Sequence, residues 1–148
     1  MEAGQAWAAA RAGEDEEGAR LCSAYPDVGA YVLYLRLHAR EWIRWLEAAA
    51  GAARRLGDRQ AQGGHLGNLG NALYSQRLLP EAIQSYMEAL TIARERGDLK
   101  DQGAVLCNLG IAYQQIGKPD QAEGPFKAAL ELIPDHPVAC NQYLWMEI

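Results

Sequence analysis

A block of this sequence returns at a fixed offset of forty residues: Asn68, Leu69 and Gly70 recur as Asn108, Leu109 and Gly110, and Ala82, Ala89 and Leu90 as Ala122, Ala129 and Leu130. Gly57-Asp58 recurs as Gly97-Asp98 at the same offset. A period of that length marks a supersecondary unit stacked on copies of itself, because one pair of helices cannot bury its apolar face alone. The chain is therefore expected to form an array of helical hairpins and not a fold around one central core. Such an array offers an extended curved surface in place of a closed catalytic pocket.

The 148 residues leave room for about three to four units of this size. Charged residues make up 22% of the chain and apolar ones about half, which suits a folded soluble domain and not a disordered one. The net charge of -5 argues against nucleic-acid binding, where clustered cations must replace the counterions of the phosphates, and favours a basic or neutral partner segment. Cys22, Cys107 and Cys140 share no CxxC spacing, so neither a disulfide framework nor a zinc cluster is expected, and a reducing cytoplasm fits. The acidic start, with Glu2 and the run Glu14-Asp15-Glu16-Glu17, is unlike a secretory leader. No stretch approaches the roughly 20 apolar residues of a membrane span. The expectation is a soluble cytoplasmic protein with no membrane partner.

Along the chain, apolar periodicity and punctuation predict helices over residues 5–12, 14–25, 28–39, 40–56, 60–76, 80–96, 100–116, 120–133 and 137–146. Pro26, Gly57-Asp58, Gly97-Asp98, Gly117-Lys118-Pro119 and Pro134 supply the breaks, and Pro80 stands at a favoured first helical position. Leu66, Leu69, Ala72 and Leu73 form an inward stripe. The division expected is residues 1–58 for irregular N-terminal helices with a degenerate unit, 59–98 and 99–134 for two regular units, and 135–148 for a capping helix, together one domain.

At this point the residues resemble the tetratricopeptide repeat. Leu66, Leu69, Gly70, Leu73, Ala82, Tyr86 and Ala89 are similar to that family's signature, and Leu106, Leu109, Gly110, Tyr113, Ala122, Phe126 and Ala129, followed by Pro134, repeat it. The resemblance implies an all-α, right-handed solenoid of helical hairpins closed by a C-terminal cap. Small Gly70 and Ala82 would let the helices of one unit approach closely, Tyr86 and Phe126 would fill the space between units, and Ala89 and Ala129 would admit the next unit. The spacing of forty exceeds the usual ~34. It resembles the variant of kinesin light chains, of adaptors that bridge G-protein subunits to spindle proteins, and of sensor regions in bacterial NB-ARC-type signalling ATPases. Residues 35–58, with Trp42 where Ala82 would set a small residue, resemble the degenerate unit that leads into the ATPase arrays.

Within the family the first helix of each unit lines a concave groove and its non-core positions bind. Those positions hold Gly64, Gly67, Asn68, Asn71, Tyr74 and Ser75 in one unit and Ala104, Cys107, Asn108, Ile111, Gln114 and Gln115 in the next. Asn68, Asn71 and Asn108 can donate to and accept from a peptide backbone, Gly64 and Gly67 would let it come near, and Tyr74 and Gln114 extend the surface. Some members clamp a C-terminal carboxylate with Lys, Asn and Arg. Of the aligned residues Asp27, Tyr31, Gly67, Asn71, Cys107 and Ile111, only Asn71 matches, so that ligand is not expected.

Chemistry is not expected either. No GxxxxGK[ST] is present, the glycines at 63–70 lack the preceding strand a dinucleotide site needs, and His38, His65 and His136 have no ligand spacing and read as surface or helix-face residues. Trp42, Trp45 and Trp145 read as core. The resulting expectation is a scaffold that binds a partner peptide or helix in its concave groove, with no catalysis, no metal and no cofactor, and with array ends open to self-association. The alternative is a sensor or autoinhibitory fragment of a larger signalling NTPase or transcriptional regulator.

Overall fold

The computed structural model describes residues 39–134. Five helices follow one another: α1 (Ala39–Leu56), α2 (Arg59–Ser75), α3 (Leu79–Arg96), α4 (Leu99–Gln115) and α5 (Pro119–Leu132). Each packs chiefly on its neighbours in sequence, α1 on α2, α2 on α3, α3 on α4 and α4 on α5. This is an all-α solenoid of helical hairpins, with no strand among the described residues. The expected helices over 5–12, 14–25 and 137–146, the cap included, lie outside the described residues, as does all of 28–39 except Ala39, which opens α1. Cys22, Cys140, His38, His136 and Trp145 lie outside them too.

The recurrent Gly-Asp pairs explain how the helices are linked. Gly57 and Gly97 take left-handed φ values of +70° and +66°, which end α1 and α3 at little cost to a residue without Cβ. Asp58 and Asp98 then cap the next helices, their carboxylates accepting from the Ala61 N–H at 2.9 Å and the Asp101 N–H at 3.0 Å. The hairpin turns work differently. Pro80 and Pro119 lie in the first turns of α3 and α5, which have no side-chain cap, and the residue before each turn closes has positive φ: Gly117 at +81° in one, Arg77 at +62° in the other.

Packing within each hairpin rests on a glycine facing a ring. A Cβ at Gly70 would overlap the Tyr86 ring, and one at Gly110 would stand 2.5 Å from Phe126 Cε1. These rings therefore fill the seam between the two helices of one hairpin, and Tyr86 also borders the next unit at Asn108 and Ile111. Phe126 is fully buried, worth roughly 2–3 kcal/mol. Trp42 is buried and Trp45 packs partly against the same core, as expected.

Two expected surface or groove residues turn out to be core. His65 is 0% exposed because residues 62, 65, 66, 69 and 73 share one helical stripe, and Val105 occupies its place forty residues on. Cys107 is 2% exposed because it falls in the stripe of Gly103, Leu106 and Gly110, not on the groove face.

Candidate functional site

A cleft of about 240 Å³ opens between α2 and α4, with α3 as its floor. Gly63, Gly64, Gly67, Asn68 and Asn71 form one wall, Asp101, Ala104, Val105 and Asn108 the other, and Ala89, Ile92, Ala93 and Arg96 lie beneath. α2 and α4 are both first helices of their hairpins, so i, i+3 and i, i+4 spacing repeats the same face along each. The glycines set the width. Gly63 is needed for packing, since its Cβ would meet Ile92 Cγ2 at 3.0 Å, but Gly64 and Gly67 have nothing within 4 Å and simply leave the cleft open.

A smaller recess of about 120 Å³ continues the cleft and is lined by Asn71, Tyr74, Tyr86, Asn108 and Ile111. Where the two meet, three polar side chains are linked. The Tyr86 hydroxyl donates to Asn71 Oδ1 at 2.6 Å, and Asn108 Nδ2 donates to the same oxygen at 3.2 Å. Tyr86 is 2% exposed, and burial pushes its phenol well above the usual tyrosine range, with nearby Tyr74 adding to the effect. The hydroxyl thus keeps its proton at any physiological pH.

The other end of the cleft is charged. Arg96 reaches Asp98 at 3.8 Å and Asp101 at 3.6 Å, and Asp98 is already engaged as the cap of α4. Such long, solvent-accessible pairs contribute little to stability and leave both partners able to turn toward a ligand.

Of the residues singled out from sequence, Gly64, Gly67, Asn68, Asn71 and Asn108 come together in the cleft and Tyr74 in the adjoining recess. Gln114 is half-buried and lines neither. Asn68 makes no side-chain hydrogen bond among the described residues, whereas Asn71 is drawn into the internal link with Tyr86. Sequence reasoning missed Tyr86, Arg96 and Asp101. A signal for the first was present, since Asn71 and Tyr86 are both replaced, by Ile111 and Phe126, at the offset of forty.

No group of three or more His, Cys, Asp or Glu suited to a metal ion occurs among the described residues, and none of their helices is long and apolar enough to cross a membrane. The cleft thus carries asparagine amides at one end and, at the other, Arg96 shared loosely between Asp98 and Asp101. The family model for the tetratricopeptide repeat matches residues 62–135, half of the chain. No curated protein matches it.

Proposed function

The chain belongs to the tetratricopeptide repeat family, whose repeats are generally protein-interaction modules, and from that premise we propose that it is a non-catalytic scaffold binding an extended segment of a partner protein in the cleft between α2 and α4. The observation that carries this reading is the pairing of Asn68, without a side-chain hydrogen bond among the described residues, with the open wall at Gly64 and Gly67. Two mid-helix glycines cost roughly 1 kcal/mol each relative to alanine and meet nothing in the fold that requires them. A ligand backbone passing within van der Waals distance gives them a reason. An amide flanking that path can donate and accept at once.

The forty-residue spacing aligns the chain, in our reading, with the long-repeat variants seen in kinesin light chains and bacterial signalling ATPases, and a cytoplasmic setting agrees with it. A preformed cleft loses little ordering entropy on the host side, so a few polar anchors suffice for specificity.

The test is selection of displayed random 12-residue peptides on the intact chain, followed by calorimetry against the chain and its Asn68→Arg variant. Peptides that lose at least tenfold in affinity with Asn68→Arg, at unchanged helical content, support the cleft. Peptides bound equally well by both proteins place recognition elsewhere and overturn it.

A further inference from the structure

The Tyr86 hydroxyl has one partner, Asn71 Oδ1, and that oxygen also accepts from Asn108 Nδ2. An asparagine amide can in principle be turned over, exchanging oxygen for nitrogen. If both amides turned over here, Asn71 Nδ2 would donate to the tyrosine oxygen and to Asn108 Oδ1, and the phenol proton would be left buried with no acceptor. An unmade buried donor is more costly than the net gain of an ordinary hydrogen bond, so the observed orientation dominates. The hydroxyl remains a donor throughout the physiological range because burial holds its proton on. Nothing comparable exists one repeat later, where Phe126 has no hydroxyl and Ile111 replaces the amide.

The orientation has a consequence at the cleft. With Asn71 Oδ1 doubly occupied, Asn71 offers only its N–H donors outward, and Asn108, having used one N–H, offers its Oδ1. A residue in an extended chain turns its own N–H and C=O to the same side, as in the paired positions of an antiparallel ladder. One residue of a bound segment can therefore donate its N–H to Asn108 Oδ1 and accept at its C=O from Asn71 Nδ2, and reversing the chain exchanges these two groups. We propose that Tyr86 is a positioning residue that fixes the amide orientation of Asn71 and Asn108 and thereby sets the direction in which an extended polypeptide lies in the cleft. This rests on the reading of the cleft as a polypeptide site, and goes beyond it by naming a residue that decides polarity through the two amides it orders.

The experiment compares the intact chain with Tyr86→Phe, a change the fold tolerates since Phe126 fills the equivalent seam. First, the side-chain amide signals of Asn71 and Asn108 are recorded by nitrogen–proton correlation NMR without ligand. Both should shift in Tyr86→Phe, and by more than the Asn68 amide, which stands one helical turn away and takes no part in the link. Second, a peptide from the display selection is made with backbone esters that delete one N–H at a time. In the intact chain one ester position should cost about five- to tenfold in affinity, the size of one net hydrogen bond. In Tyr86→Phe that penalty should fall below about twofold, because either amide orientation becomes available. Identical amide signals in the two proteins, or an unchanged ester profile, overturn the proposal. Peptides indifferent to Asn68→Arg would instead remove the cleft reading, and the amide signals alone would then decide the role of Tyr86.

Discussion

The hairpins α2–α3 and α4–α5 share a backbone plan and differ in what they place at a few equivalent positions. The first has Asn71 against Tyr86 where the second has Ile111 against Phe126, and the first closes its turn on Arg77 where the second uses Gly117. The first is also richer in glycine on its cleft face, with Gly64 and Gly67 where the second has Ala104 and the buried Cys107. In the second, α5 carries Pro125 inside a helix of 14 residues, against 18 in α3. The two hairpins thus separate what the repeat needs to fold from what this copy adds. A ring against a glycine is shared and structural. A hydroxyl on that ring, with an amide to receive it, is an addition that strengthens no packing and faces the cleft.

The largest expected effect tests the shared part. Alanine at Gly70 or Gly110 gains about 1 kcal/mol of helix propensity but forces the ring away. Both rings would stand under 3.0 Å from the added Cβ and must shift, and Tyr86 cannot do so without also lengthening its 2.6 Å bond to Asn71. Gly70→Ala should therefore cost about 3 kcal/mol in chemical denaturation and Gly110→Ala about 1–2 kcal/mol, within the range for overpacked cores. Equal costs would mean that the hydroxyl does not pin the ring.

The next effect tests the addition. Asn71→Ile copies the second hairpin but leaves the Tyr86 hydroxyl buried without an acceptor, at a cost of about 2 kcal/mol. Adding Tyr86→Phe completes the copy and should restore stability to within about 0.5 kcal/mol of the parent, so the two changes are strongly non-additive. Cleft binding should stay lost in the double variant. The same pair gives a pH signature. The phenol has a raised folded-state pKa against an ordinary value of 10.0, so its contribution is fully present below about pH 10 and declines as pH rises beyond it. Between about pH 9 and 11, denaturation midpoints should fall less steeply for Tyr86→Phe.

A smaller effect of opposite sign concerns the α2 wall of the cleft. Gly64→Ala and Gly67→Ala should each raise stability by about 1 kcal/mol, because they meet nothing within 4 Å and only helix propensity changes. Affinity for a selected peptide should fall in both. A gain in stability with no loss of binding would remove the glycines from the site.

Much of this was legible in the residues. The offset of forty, the Gly-Asp links and the prolines at helix starts located the described helices to within a residue or so, since each depends on local backbone chemistry that a short motif encodes. His65 and Cys107 were misplaced because histidine and cysteine suit either face, and only the phase of the stripe, set by what packs on both sides, decides. Of the site, the glycines and asparagines on one helix face could be read by spacing. The Tyr86–Asn71–Asn108 link could not, because it joins three helices and depends on a hydroxyl whose direction no helical wheel supplies.

The smallest effect lies at the turns. Arg77 holds a left-handed φ of +62° that an L side chain adopts at a cost of about 1 kcal/mol, while Gly117 holds the same place freely. In return the Arg77 guanidinium donates to Gln115 Oε1 at 3.2 Å, an exposed link from the first hairpin's turn to the end of α4. Exposed hydrogen bonds of that kind add little, and glycine costs the folded state some unfolded-chain entropy, so the two nearly offset the relieved strain. Arg77→Gly should then stabilise by only about 0.5 kcal/mol, as the balance of those terms. A loss of stability instead would mean that the guanidinium bridge couples the two hairpins, and Gln115→Ala would separate the cases. It should reproduce that loss if the bridge matters and leave the parent unchanged if backbone strain is all that Arg77 contributes.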